Sequence, residues 1–152
     1  MTIDDSYNFR RLDERLTTSG LVSAEQLRDL RRQGYNAVIN LLPSSSEHAV
    51  PNEASIVTDQ GIDYVHIPVD FDAPTHDDFD AFSAAMDEHE GQVVHVHCAA
   101  NFRVSAFYGL YALSKGLCTV EEADALVQDL WNPADHPAWA SFISVERARL
   151  AH

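Results

Sequence analysis

The chain has 152 residues, and its 10 Lys and Arg against 24 Asp and Glu give a formal charge of −14. This length fits one domain over residues 1–152, and a hydrophobic content of 45% excludes a disordered chain. Because binding to nucleic acid or to anionic lipid relies on many basic side chains, we expect no nucleic-acid partner and no membrane partner.

Strand and helix signals alternate in the first half of the chain. Residues 9–18 predict a short hairpin. Ser23 with Gln26 three residues later forms a capping box, which predicts a helix that ends at Gly34. A buried apolar strand, a short helix and a second strand follow at residues 37–42, 51–61 and 64–69.

The second half is mostly helical. Thr75 is a suitable cap for a helix over residues 75–91, and an apolar strand at residues 93–97 leads directly into Cys98. Three more helices are predicted at residues 104–114, 119–130 and 135–149. The first of these is apolar on all sides, which favours a central position in the fold.

This alternation of strands and helices predicts a three-layer α/β sandwich, in which a mainly parallel central sheet has helices on both faces. In such sheets ligands bind beyond the carboxyl ends of the strands, where a strand is followed by the N-terminus of a helix. The strand that ends at Cys98 and the helix after it have this arrangement.

The segment after this strand has the residues of an anion-binding loop with a nucleophile. Cys98 ends the strand and Arg103 begins the helix. The four residues between them, which would contact the substrate through the backbone, are Ala99, Ala100, Asn101 and Phe102. Backbone N–H groups at a helix N-terminus bind anions and favour a thiolate over a thiol. The forked guanidinium of Arg103 suits a tetrahedral oxyanion.

Arg103 is also isolated from other basic residues. Residues 1–32 contain six Arg and six acids, so the other 120 residues contain 18 acids and four bases. The four bases are Arg103, Lys115, Arg147 and Arg149. The sequence therefore predicts one local positive site in an acidic surrounding.

This pattern resembles a known family. His97 and Cys98 followed by Arg103 and Ser105, after a buried strand and before an apolar helix, resemble the cysteine-dependent protein tyrosine and dual-specificity phosphatases, especially their small bacterial relatives. The sequence Ile-Asp-Tyr-Val-His-Ile-Pro-Val-Asp at residues 62–70 is similar to the strand that leads to the acid loop of that family. The similarity extends over residues 8–145.

The resemblance implies a phosphatase fold and a two-step reaction on a phosphorylated protein or small molecule. The Cys98 thiolate would attack phosphorus while Arg103 and the loop N–H groups hold the phosphate oxygens. The resemblance implies that an acid protonates the leaving oxygen, and either Asp70 or Asp72 can have this role, with Asp70 preferred because it directly follows the strand.

Two supporting roles also follow from the resemblance. His97 would hydrogen-bond the loop and hold its shape. Ser105, seven residues after Cys98, would assist the breakdown of the cysteinyl-phosphate.

The length of the loop leaves alternatives open. Four residues separate Cys98 from Arg103, whereas the phosphatase family has five, and the loop has no glycine. A loop of this length is similar to that of rhodanese-type sulfurtransferases, so sulfur transfer is the second hypothesis. A third is a binding module that holds an anion without turnover. Asn101 is the loop residue best able to adopt a positive φ.

Neither a metal, nor a cofactor, nor a membrane segment is predicted. Cys98 and Cys118 lack the spacing of a zinc module or a disulfide framework, so we expect two free thiols. His95 and His97 lie near Cys98, but no fourth ligand accompanies them. No apolar run approaches the ~20 residues that cross a membrane, and we expect a cytoplasmic protein.

Overall fold

The computed structural model describes residues 1–150 and contains one five-stranded sheet. The strands are Arg10–Arg11 (β1), Leu16–Ser19 (β2), Ala37–Asn40 (β3), Asp63–His66 (β4) and Val94–His97 (β5). Their order across the sheet is β1-β2-β5-β3-β4, with β1 antiparallel to β2 and all other neighbours parallel. The predicted hairpin and the mainly parallel sheet are confirmed.

Residues 1–150 form six α-helices around the sheet. They are Ala24–Arg28 (α1), Glu53–Thr58 (α2), His76–Glu88 (α3), Phe102–Ser114 (α4), Val120–Gln128 (α5) and Pro137–Leu150 (α6). The first helix ends earlier than predicted, because residues 29–34 form turns that close at Gly34 with a φ of 93°. Among the helices of residues 1–150, none combines the length and apolar character that crossing a bilayer requires.

The sheet separates two apolar cores, because successive side chains of a strand point to opposite faces. On one face Val38 of β3 belongs to a buried cluster with Leu27 of α1 and Val57 of α2. On the other face Ile39 belongs to a larger cluster with Phe82 of α3 and Phe107 of α4. This arrangement confirms the three-layer sandwich with helices on both faces.

The carboxyl ends of β3, β4 and β5 meet at one edge of the sheet, since these strands are parallel. Backbone hydrogen bonds continue beyond the strand ends, from Leu41 N–H to the His97 carbonyl at 2.9 Å and from Val69 N–H to the Leu41 carbonyl at 3.0 Å. The segments that follow the three strands are therefore held side by side. They contain Cys98, the residues after Leu42 and Asp70.

Candidate active site

The loop between β5 and α4 turns at one residue. Asn101 has the left-handed conformation with a φ of 67° and directly precedes α4, as its sequence position predicted. The N–H groups of Phe102, Arg103 and Val104 lie in the first turn of α4, where no carbonyl of the helix itself can accept from them. The loop therefore presents the N–H groups and the positive helix end that an anion needs.

Two asparagines hold this loop in shape. The Asn101 side-chain amide donates to the Asn8 carbonyl at 3.0 Å and to Thr18 Oγ1 at 2.9 Å. The Asn8 side-chain amide donates in return to the Ala100 carbonyl at 3.0 Å. These contacts therefore fix the conformation of the loop, which contains no glycine.

Gly20, the residue after β2, supports the loop. Leu21 N–H donates to the Ala99 carbonyl at 2.8 Å, and Gly20 pairs with Ala100 in an isolated bridge. A Cβ atom on Gly20 would lie 2.6 Å from the Ala99 oxygen and 2.8 Å from the Ala100 Cα. The close approach of the two backbones therefore requires glycine at this position.

We expect Gly20→Ala to lower the free energy of unfolding by about 1–3 kcal/mol, because the added methyl group meets backbone atoms that cannot rotate away. Urea denaturation of both proteins measures this change. Gly109→Ala is the matched control, since a Cβ at this helical position would lie 3.6 Å from Ala123 Cβ, an ordinary contact. Equal unfolding curves for Gly20→Ala and the wild type would contradict the close approach.

Arg103 is free of ion pairs within residues 1–150. Its guanidinium lies over the Phe71 ring, 5.2 Å from the centroid, and its Nε is buried without a hydrogen-bond partner among the described residues. The other bases after residue 32 all pair with acids: Lys115 with Asp87, Arg147 with Asp124 and Arg149 with Glu146. Arg103 is thus available to bind an anion.

Arg103 and both acid candidates line the same cleft, which has a volume of about 510 Å³. Its wall consists of Pro43, Ser45, Ser46, Pro68, Asp70, Phe71, Asp72 and Arg103. Asp70 and Asp72 are exposed, and one Asp70 oxygen accepts from the Asp72 N–H at 2.9 Å. The structure therefore brings the predicted acids and the predicted anion-binding Arg together.

The Cys98 side chain is fully buried and is not part of the cleft wall. Cys98 belongs to the core cluster on the α3 and α4 side of the sheet. Cys118, the second free thiol, is half-buried. Attack by Cys98 on an anion bound at Arg103 therefore requires a movement of the loop that exposes the thiol.

Aromatic residues fix the segment that holds the two acids. The Phe71 carbonyl accepts from Trp139 Nε1 at 2.7 Å. The centroid of the Phe71 ring lies 5.9 Å from that of the Trp131 ring. Phe102 of the loop stacks on Trp131 with ring centroids 4.8 Å apart. Because Trp131 and Trp139 are buried, these contacts attach both the acid segment and the loop to the core.

His97 does not make its predicted contact. We expected it to hydrogen-bond the loop, but its Nε2 donates to Glu53 Oε2 at 2.6 Å, and its Nδ1 has no partner among the described residues. The buried Glu53 carboxylate, a strong acceptor, binds one ring nitrogen and fixes the ring in an orientation that leaves Nδ1 without a partner. Glu53 comes from α2 and was not predicted as a site residue.

The Ser105 hydroxyl is occupied by structural contacts. It donates to the Phe102 carbonyl at 3.1 Å and accepts from Trp131 Nε1 at 3.1 Å. Ser105 is also buried. In this conformation it connects α4 to the aromatic cluster, so a part in breaking down a cysteinyl-phosphate would require it to leave both partners.

Comparisons with known proteins agree with this fold. A family model described as "Beta-lactamase hydrolase-like protein, phosphatase-like domain" matches residues 8–117. The Beta-lactamase hydrolase-like protein of Xylella fastidiosa is 31% identical over 118 residues, which are 76% of this chain and 27% of that protein. The chain thus spans about a quarter of the length of this curated relative.

Solved structures extend the similarity to nearly the whole chain. A DUF442 protein of Shewanella putrefaciens CN-32, described as a candidate phosphatase, has 39% identity and a TM-score of 0.88, covering 99% of this chain and 97% of that one. TpbA of P. aeruginosa, solved with phosphotyrosine, has 15% identity and a TM-score of 0.72, covering 100% and 95%. This chain shares the phosphatase-like fold, and it belongs to the family of the phosphatase-like domain of Beta-lactamase hydrolase-like proteins.

Proposed function

We propose that this domain hydrolyses phosphate monoesters through a covalent intermediate on Cys98. The main support is the cleft that Arg103 shares with Asp70 and Asp72, next to the N-terminus of α4. An unpaired guanidinium there can bind a phosphate, and a carboxyl group nearby can protonate a leaving oxygen. The phosphatase-like family of the chain supports a hydrolase.

In the first step the loop moves to expose the thiol, and the Cys98 thiolate attacks phosphorus. An S–P bond forms, the P–O bond to the leaving group breaks, and the leaving oxygen takes a proton from Asp70. Arg103 and the first N–H groups of α4 hold the three remaining oxygens, on which negative charge is concentrated.

In the second step water attacks the cysteinyl-phosphate. Asp70, now ionised, accepts a proton from this water, an O–P bond forms and the S–P bond breaks. The products are inorganic phosphate and the Cys98 thiolate. Asp72 lies two residues away in the same cleft and is the alternative acid.

Sulfur transfer is the second candidate, and the length of the loop favours it. The four residues between Cys98 and Arg103 enclose a smaller space than the five of the phosphatase family, which suits a sulfane sulfur better than a phosphate. The Cys98 thiolate would attack the outer sulfur of thiosulfate, forming an S–S bond as sulfite leaves. Cyanide would then take this sulfur as thiocyanate and restore the thiolate.

A pair of assays separates the two candidates. The wild type and Cys98→Ser are incubated with an aryl phosphate and, separately, with thiosulfate plus cyanide. We expect the wild type to release phosphate and Cys98→Ser to be inactive. Thiocyanate formation without phosphate release would reject the phosphatase, and binding of phosphate without either activity would indicate an anion-binding module.

The charge of the cleft predicts which substrates are favoured. Because Asp70 and Asp72 flank Arg103 in an acidic chain, we expect a basic phosphopeptide to have a kcat/KM about tenfold above that of a matched acidic one at low salt. The difference should shrink as salt screens the charges. A neutral aryl phosphate is the control, and a preference for the acidic peptide would contradict this prediction.

A further inference from the structure

A second cavity lies beside the candidate active site, where β3 and β4 end. It has a volume of about 440 Å³, and its wall includes Asn40 and His66, the last residues of these strands, and Ser44 of the segment that follows β3. Pro43 and Ser45, the chain neighbours of Ser44, line the cleft of the candidate active site. One short segment therefore separates the two spaces, and a substrate bound in the cleft can extend into the second cavity.

A buried carboxylate, that of Glu53, is part of the wall of the second cavity. The Glu53 side chain is 5% exposed, and its Oε2 accepts from His97 Nε2 at 2.6 Å. Among residues 1–150, Oε1 has one contact, with the Asn40 side-chain amide at 3.4 Å, which is longer than a usual hydrogen bond. Because an ionised carboxylate can accept about four hydrogen bonds, Oε1 is able to accept from a further donor.

No fixed positive charge lies beside Glu53 in this wall. The wall contains no Lys and no Arg among the described residues, and the ring of His66 donates through Nε2 to a backbone carbonyl at 2.7 Å. A second proton on the His97 ring would lie on Nδ1, which is buried without an acceptor. Burial raises the pKa of Tyr64, another wall residue, to about 12, with the Asn40 hydrogen bond opposing and the Glu53 charge adding to the rise. The charge of Glu53 is therefore left for a ligand to balance.

This arrangement favours a cationic ligand with N–H donors. A carboxylate that is shielded from water attracts a cation more strongly than an exposed one, because water no longer screens the charge. A buried charge without an opposite partner is also costly, so a cation that enters the second cavity removes this cost. A primary ammonium group has the charge and three N–H donors, and the wall offers Glu53 Oε1 and the Tyr64 hydroxyl oxygen as acceptors.

We propose that the second cavity binds a primary ammonium group of the substrate while Arg103 binds its phosphate. The favoured substrates are then phosphate monoesters whose leaving group carries an amine. The second cavity lies at β3 and β4, whereas the loop before Arg103 follows β5. Because adjacent strands are about 4.8 Å apart, we expect about 5–10 Å between the nitrogen and the phosphorus. This inference rests on the phosphate-binding role of Arg103 in the proposed function.

Binding to Cys98→Ser tests the inference without turnover. The probes are tyramine phosphate and para-propylphenyl phosphate, which have nearly the same shape and differ by one positive charge. We expect calorimetry at low salt to give tyramine phosphate a Kd at least about tenfold below that of the propyl ester. Glu53→Gln in this background should reduce the ratio to about threefold or less. Asp59→Asn removes one charge from the exposed end of α2, outside the cavity wall, and should keep the ratio.

A second pair of variants gives an answer even if Glu53→Gln does not fold. Ala54→Lys adds a positive charge at an exposed helical position of the cavity wall, and Ser55→Lys adds the same charge at the next residue, which is outside the wall. We expect Ala54→Lys to abolish the preference for tyramine phosphate and Ser55→Lys to keep most of it, because the added ammonium group repels a ligand ammonium only where it lines the cavity.

Equal affinities for the two probes, or no binding of either, would overturn the inference. A preference that a folded Glu53→Gln or Ala54→Lys leaves unchanged would overturn it as well, since the charge of the whole chain and not the second cavity would then cause the preference. If tyramine phosphate is preferred in these binding measurements but the wild type hydrolyses neither ester, the phosphatase reaction is rejected and the ammonium site stands.

Discussion

Cys98→Ser is expected to lower the turnover of an aryl phosphate by at least about a thousandfold. The serine hydroxyl ionises only at a much higher pH than a thiol, so the variant lacks the nucleophile while its shape is nearly unchanged. Steady-state rates at matched enzyme concentration measure the loss. Because the side chain is fully buried, circular dichroism and thermal unfolding should accompany the rates.

Cys118→Ser is the matched control for this prediction. Cys118 follows α4 and is half-buried, and it does not line the cleft. We expect this variant to keep the wild-type rate within a factor of about two. If Cys98→Ser retained the aryl phosphatase rate, Cys98 would not be the nucleophile and the reaction scheme would be wrong.

Asp70→Asn should reduce kcat by about 10²–10⁴-fold on a substrate with a poor leaving group. An amide cannot protonate the leaving oxygen, whereas a good leaving group departs without this help, so a nitrophenyl ester should be affected less. The acid must be protonated in the first step, so the wild-type rate falls as pH rises through its ionisation. Asp70→Asn should lose this fall on the basic side of a single-turnover pH profile.

Asp72→Asn provides the comparison, because Asp72 lies in the same cleft and is equally exposed. We expect it to keep the basic-side fall and most of kcat. The opposite result would assign the acid to Asp72. If neither variant lost the basic-side fall, general acid catalysis by this segment would be rejected.

Local signals in the sequence predicted most of the elements of the fold. The capping boxes at Ser23 and Thr119 and the cap at Thr75 are all present, because each depends on residues within one turn of the helix. The order of the strands could not be predicted, since placing β5 between β2 and β3 depends on contacts far apart in sequence. The ends of helices also differed from the prediction, as at residues 29–34, where turns replace the last part of the predicted helix.

The candidate site shows the same difference between local sequence patterns and contacts between residues far apart in sequence. Cys98, Asn101 and Arg103 lie within six residues, and their strand, loop and helix arrangement was visible as a local pattern. The partners of this loop and of His97 could not be found in this way, because Asn8 is 93 residues from Asn101 and Glu53 is 44 residues from His97. Nothing near Glu53 in the sequence distinguishes it from an exposed acid at the start of a helix.

The covalent intermediate is the most direct test of the proposed reaction. Asp70→Asn should accumulate it, because water attack loses its base, so the variant is mixed with an aryl phosphate, quenched in acid and digested. We expect mass spectrometry to find one phosphoryl group on the peptide that contains Cys98 and none in the Cys98→Ser background. An unmodified Cys98 peptide, together with one added sulfur atom after thiosulfate, would contradict phosphoryl transfer and establish sulfur transfer instead.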